Sequence, residues 1–570
     1  MRNGIGTPAV LLVALLLIAS CSEAAPVPPQ SSSATETPQR GGQLVLGGPA
    51  DISTLQPVLG FDNISASVYT LIYATLLETD PATGELRAGL AERFAVTNDG
   101  KRVTYTLRTG LLWSDGTPLT GADYKYMVSA TARSKKSPNK AVFKDIVGWD
   151  DYVAGRTDDL NGVQLLDGGR TIQIDMRRGR CSALRDLGSY PPLSEAQFGA
   201  YWDARTRDTT TNIDGAAFNR APPVASGPFA FAEYKPLDFV RLVRNERYYK
   251  GAPLLDGVIF KVFSDQTAQR FAFITGELTN ASNIPPADVD DLRKRMGATA
   301  TDFTIKGTAF TYLGLNAHSP NAPWLADKRV RQALWYGLDI ETMLKPIYLG
   351  LAHRVFAYTP QESWAYDGTG LERYDFDPKR ARSLLESAGA TMGADGLYRW
   401  RDGRAMTMRI EVGNNMGARV TFVQAMQAQY RDIGIKADIA VEPFPALLAR
   451  NNAHESGVDG YVVTSGGDPE VTDAYEFFHS SQQDTNAQNF WFTDPELDRA
   501  LDAGLFGPDC SAVARRAAFH RMDRIVNEAA PVLFLYAGDT ISFRSSKLVA
   551  PPPLPFGTRY DIEKWWLRAP

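Results

Sequence analysis

The chain has 570 residues, 44% hydrophobic and 22% charged, fractions that fit a globular protein and exclude a disordered, collagenous or multi-span membrane chain. That length makes two to four domains at roughly 100–200 residues each. Sixty basic against 65 acidic side chains give a net charge of −5, with no basic excess to hold nucleic acid, and five histidines and three cysteines are few for metal or thiol chemistry.

Arg2 precedes an unbroken apolar run from Ala9 to Ala19. Its eleven residues suit the core of an export signal and fall short of the ~20 that span a bilayer. The run ends in Ile18-Ala19-Ser20-Cys21, which resembles a bacterial lipobox, so Cys21 is expected to carry lipid after cleavage of residues 1–20. Residues 21–40 are rich in Ser, Pro, Thr and Ala and too poor in apolar side chains to offset the entropy of ordering; they read as a flexible tether. The folded part is therefore expected outside the cytoplasm, anchored to a membrane through Cys21. Cys181 and Cys510 share that compartment, where a disulfide persists, but a separation of 329 leaves open whether they are bonded or two isolated thiols.

Three hairpins are predicted where period-two apolar residues flank Asp-Gly, since glycine tolerates the positive φ of tight turns. They centre on Asn98-Asp99-Gly100, on Asp167-Gly168-Gly169, and on Asp402-Gly403 between Tyr398/Trp400 and Met406/Met408/Ile410. Helix starts are marked by Thr120 with Asp123, a capping box, and by Asp377-Pro378 and Asp494-Pro495, each a cap followed by proline at the first helical position. Strands and helices alternate without a fixed repeat, so the class is α/β. Phosphate-loop, His-Glu-x-x-His and Gly-x-Ser-x-Gly motifs are missing, and nothing argues for catalysis.

The block Thr106-Leu107-Arg108-Thr109-Gly110, then Leu112-Trp113-Ser114-Asp115-Gly116-Thr117-Pro118-Leu119-Thr120 and Asp123, resembles the signature of the extracellular solute-binding proteins of ABC importers, family 5, the peptide/nickel class. Gly227-Pro228-Phe229, Val330-Arg331-Gln332-Ala333-Leu334 and Tyr374-Asp375-Phe376-Asp377-Pro378 follow in family order, and the likeness runs from about Gly41 to the C-terminus. Most of these residues have a structural role: Trp113 in the core, Arg108 and Arg331 on carboxylates or backbone carbonyls. The signature identifies the fold rather than the solute.

The resemblance implies a two-lobed periplasmic-binding-protein-like fold with an extra subdomain and a ligand cleft between the lobes. Carried onto this chain, lobe I takes 41–77, 216–310 and 531–570, the extra subdomain 78–215, and lobe II 311–530. It implies a monomer that closes on a solute, is served by a membrane permease and a separate ATPase, and has no catalytic residues, metal or cofactor.

For the cleft, the resemblance points to three groups. From lobe I come Asp62 and Asn63, with Tyr69, which alternatively packs in a helix beside Ile72 and Tyr73. From lobe II comes Tyr461–Pro469: peptide-binding relatives carry an aspartate four residues before the matching proline to hold the α-ammonium, and here that position is Ser465. Either Asp468 substitutes, or the solute presents no free amino terminus there; Asp468 also reads as a turn residue. The third group is aromatic: Phe490 and Trp491 in Asn489-Phe490-Trp491-Phe492, and Trp364 with Tyr366 on a polar loop where exposure is expected. Phe490 and Trp491 have core packing as their alternative. The solute is expected to be a peptide; an oligosaccharide, an amino-blocked peptide or another solute is the alternative, as is a binding protein that regulates the envelope without a transporter.

Overall fold

Two strands carry the chain from one sheet into another and back, and they run side by side. The computed structural model describes residues 37–48, 51–60, 62–97, 100–199, 213–263, 265–414, 416–452, 457–482 and 491–569. The expected signal peptide, Cys21 and most of the tether lie outside them. Among the described residues no helix is long and apolar enough to cross a membrane.

The first lobe is built on a four-stranded sheet in the order Gln43–Gly48, Gly257–Val262, Phe239–Arg244, Phe229–Lys235, with the first pair parallel. A second four-stranded sheet, antiparallel throughout, joins Ala91–Thr97, Arg102–Leu107, Thr171–Asp175 and Val163–Leu166. It holds the first two predicted hairpins; Asn98 and Asp99 fall outside the described residues. Their inward residues (Val103, Tyr105, Ile172, Ile174) share one buried core with Leu44, Val240 and Val258 of the first sheet, so the extra subdomain and lobe I are continuous inside. Trp113 is fully buried in that core, and Arg108 donates Nε to the Gly89 carbonyl at 2.8 Å. The capping box forms as predicted at Gly121–Arg133.

The second lobe has a six-stranded mixed sheet ordered Ala352–Arg354, Val532–Gly538, Phe310–Leu315, Gly460–Ser465, Thr407–Gly413, Lys436–Glu442. Its core gathers Leu313, Val412, Val462 and Leu533 from the strands, with Leu334, Phe422 and Phe519 from the covering helices. Asp377 and Asp494 cap Pro378–Ser387 and Pro495–Phe506 as expected. Arg331 donates to the carbonyls of Leu325, Ala326 and Ala529.

Two expectations change. The third hairpin closes its turn, with Met406 N on Tyr398 O at 2.8 Å, but its second arm leaves at once for the parallel ladder with Lys436–Glu442. Met406, Met408, Ile410 and Val412 are all buried, and only the central sheet offers that much apolar surface. The strand Val532–Gly538, expected in lobe I, pairs with Phe310–Leu315 in the second lobe's sheet, so the chain returns at Asp539. Its run of six buried residues, Val532 to Ala537, needs cover on both faces.

Candidate functional site

The crossings define the hinge. Ala300–Ile305 pairs antiparallel with Thr540–Ser545 on one side, Phe310–Leu315 with Val532–Gly538 on the other, and residues 306–309 and 539 connect them. The Asp539 carboxylate is fully buried there, bound to Lys306 Nζ at 2.8 Å, His353 Nδ1 at 2.8 Å and Gly307 N at 3.1 Å. These contacts hold its pKa below the ordinary aspartate value against the opposing effect of burial.

Ser465 ends the strand opposite Phe310, at the hinge end of the sheet. The loop after it lies on the crossing itself: a Cβ on Gly467 would stand 2.0 Å from the Thr308 carbonyl oxygen, so only glycine fits. Asp468 then folds back on its own loop. One oxygen accepts from Glu470 N at 3.0 Å, the other from Thr472 N at 3.0 Å and Thr472 Oγ1 at 2.5 Å.

The first-lobe candidates lie at the start of and along the helix Asn63–Ile72. Asp62 caps the helix Asn63–Ile72, accepting from Ser65 N at 2.7 Å and from Ser53 Oγ at 2.5 Å. Burial pushes its pKa up, but those hydrogen bonds prevail and lower it. Asn63 is exposed, and Tyr69 is half-buried with its ring against Gly60. Burial, then the charge of Asp62, raises the Tyr69 pKa. Tyr190 is pushed up to about 12 by burial, with Tyr69 and Asp186 adding to it. Asp186 is raised by burial against the pull of Arg180 and Ser182, and Asp468 and Glu470 of lobe II add repulsion. Asp186 of the subdomain is thus close enough to Asp468 and Glu470 of lobe II to interact with their charges.

A cavity of about 480 Å³ opens beside this loop, lined by Arg178, Arg180 and Asp186 of the subdomain and by Thr472, Asp473 and Glu476 of lobe II. Burial and the neighbouring charge of Asp468 raise the Asp473 pKa to about 7. Larger cavities, of 720 and 730 Å³, are lined wholly by residues before 300 or after 540, within the first lobe.

The aromatic expectations fare differently. Trp364 is 7% exposed rather than open to solvent. Its backbone N donates to Thr83 O across the lobes at 2.8 Å, its carbonyl accepts from Arg516, and the Arg515 guanidinium stands 5.1 Å from its ring. A charged partner on the ring and a bonded backbone bury it as a lobe-to-lobe contact. Tyr366 is half-buried. Trp491 stacks on His318 at 5.4 Å, just past the Leu315 end of the strand whose other end faces Ser465, so it stands away from the hinge. Phe490 lies outside the described residues. Asp186, Tyr190 and Asp473 were not anticipated; no motif marks them.

The family described as "Bacterial extracellular solute-binding proteins, family 5 Middle" matches residues 85–489. The chain belongs to that family. It is 24% identical over 567 residues to the oligopeptide-binding protein AppA of Bacillus subtilis, covering 98% of this chain and 97% of the relative. The dipeptide-binding protein of Escherichia coli is 25% identical over 75% of this chain and 77% of its own length. Among solved structures, AppA from B. subtilis in complex with a nonapeptide aligns with TM-score 0.67 at 23% identity, over 94% of this chain and 100% of that one. The unliganded murein tripeptide-binding protein MppA aligns with TM-score 0.76 at 18% identity, over 93% and 97%. The two-lobed solute-binding fold follows, and the chain is a binding protein rather than an enzyme.

Proposed function

We propose that this chain is the lipid-anchored, monomeric substrate-binding subunit of an ABC importer. It captures a peptide-like solute in the hinge cleft and delivers it to a membrane permease, with ATP hydrolysed by a separate partner. Cys21 carries the anchor and the segment to Arg40 the leash; residues 41–305 with 540–570 form one lobe and 310–538 the other. The relatives named for peptides support the solute class.

One observation shapes the reading of the ligand: the cleft has no spare carboxylate at the position where peptide-binding relatives hold an ammonium. Ser465 is neutral there, and both oxygens of Asp468 accept hydrogen bonds from its own loop, from Glu470 N and Thr472 N, which turns its charge toward that loop. A buried ammonium without a counter-charge is unfavourable by several kcal/mol. The solute therefore presents a blocked or absent amino group at this point. Asp62, Asn63 and Tyr69 line the opposite wall.

A thermal-shift panel tests this, using free and N-acetylated tri- to pentapeptides and oligosaccharides on the purified protein. A ligand at 100 times its Kd adds about 2.7 kcal/mol. Stabilisation by N-acetylated peptides supports the reading; stabilisation by oligosaccharides alone replaces the solute class, and silence across the panel overturns the peptide reading.

A further inference from the structure

The 730 Å³ cavity of the first lobe lies at its pole away from the hinge. The strands Ala300–Ile305 and Thr540–Ser545 leave the hinge at Ile305 and Thr540 and end together, Ala300 opposite Ser545. At about 3.4 Å per residue that end stands roughly 17 Å from the crossing. Thr299 and Ser545 line the cavity there, beside Arg40, Gly41 and Gly42, which lead into the strand Gln43–Gly48. The segment that follows Cys21 therefore enters the fold at this cavity.

The lining joins basic and apolar surface. Its ionisable side chains are Arg40, Lys547 and Arg568, all basic and all exposed. Half-buried Ile274, Met296 and Leu567 add apolar surface. Phe271, one turn back from Ile274 and Thr275 on the same helix face, is 54% exposed. Two acids adjoin the rim, and each has its own cation. Asp256, which accepts from Gly42 N, pairs with Arg244, and Glu277 pairs with Lys261. The chain as a whole carries −5, so an anionic surface repels the molecule except where cations gather.

We infer that this pole of the first lobe seats on the anionic phospholipid headgroups of the membrane that holds Cys21. This rests on the lipid-anchor reading. From Cys21 to Arg40 the chain spans at most about 70 Å when fully extended, so the anchor keeps the pole within reach of the surface. Contact between the two is then intramolecular, and a weak attraction suffices. Basic side chains supply that attraction, and an exposed aromatic suits the headgroup boundary. The hinge, at the other end of the two strands, stays clear of the membrane.

The test sediments the chain from Cys21 onward, without lipid, with vesicles of phosphatidylcholine alone and of phosphatidylcholine with an equal part of phosphatidylglycerol. Each cation near an anionic surface is worth about fivefold in partition, so three give the mixed vesicles a preference of about 100-fold at low salt. High salt removes that preference. Lys547→Gln with Arg568→Gln lowers partition onto the mixed vesicles about 25-fold, and Arg40→Gln, on the entering segment, about fivefold. Lys328→Gln with Arg521→Gln, exposed in the second lobe, changes it less than about twofold. Equal partition onto both kinds of vesicle, or an equal loss in the first-lobe and second-lobe pairs, overturns the inference. The mass of the exported protein reads the anchor separately. An unmodified Cys21 overturns the anchor reading and the inference with it, whereas an acylated Cys21 without a phosphatidylglycerol preference overturns the inference alone.

Discussion

Cys181 and Cys510 are joined by a disulfide that runs from the subdomain of the first lobe to the second, with Cα atoms 5.1 Å apart. Cys181 leads into the helix Ala183–Gly188, whose Ala183 and Leu187 belong to the first core. Cys510 leads into Ala512–Ala529, whose Phe519 and Met522 belong to the second. Cys181 N also donates to Leu505 O at 2.7 Å, and the Arg178 guanidinium lies 4.4 Å from the Phe506 ring centre. The hinge and the disulfide thus tie the lobes at two places.

Replacing both cysteines, Cys181→Ser with Cys510→Ser, is expected to lower stability by about 2–5 kcal/mol, because the bond closes a very long loop in the unfolded chain. Small-angle scattering of the free protein reads the second effect: a larger radius of gyration in the double variant. An unchanged radius would mean that the remaining contacts hold the lobes without the bond.

The loop at the hinge is sterically fixed. Gly467→Ala places a methyl carbon where the Thr308 carbonyl allows 2.0 Å, so the loop or the crossing strand must move. A loss of about 1–3 kcal/mol is expected from such overpacking, measured by chemical denaturation. A change under 0.5 kcal/mol would show that the contact relaxes freely.

Asp473 sets a pH dependence whose sign follows from its burial. Its folded-state pKa of about 7 lies above the ordinary value of 3.8, so between those values the folded protein binds the extra proton. Its contribution to stability is complete below about pH 4 and is lost as pH rises to 7, on the order of 4 kcal/mol in all. Asp473→Asn should therefore flatten the fall in melting temperature between about pH 4 and 7. The same slope in variant and wild type would refute it.

Ser465→Asp restores a carboxylate at the position that relatives use for an ammonium. The variant should bind a free tripeptide about tenfold better than its N-acetylated form by calorimetry, the reverse of the wild type. Failure to gain any preference would place the amino end elsewhere in the cleft.

Local grammar made much of the fold legible. Thr120 with Asp123, Asp377-Pro378 and Asp494-Pro495 start helices because a side chain satisfies the first free N–H groups within three residues, a relationship the sequence displays directly. Where the sequence misled, long-range pairing decided. Met406 to Val412 alternate like a hairpin arm, yet burial draws them into a parallel ladder with a strand beginning at Lys436. Trp364 sits on a polar loop, yet Thr83, over 280 positions earlier, takes its N–H. The site was half visible for the same reason. Asp62 caps a helix, Ser465 ends a strand and Asp468 sits in a turn, whereas Asp186 meets the Asp468 loop only because two lobes come together there.

The most direct test is a calorimetric titration of the wild-type protein with a single peptide in its free and N-acetylated forms. The predicted result is that the acetylated form binds at least as tightly, since Ser465 is neutral and Asp468 is turned into its own loop. A tenfold or greater loss on acetylation would contradict it and put a carboxylate of this cleft on the peptide's amino end.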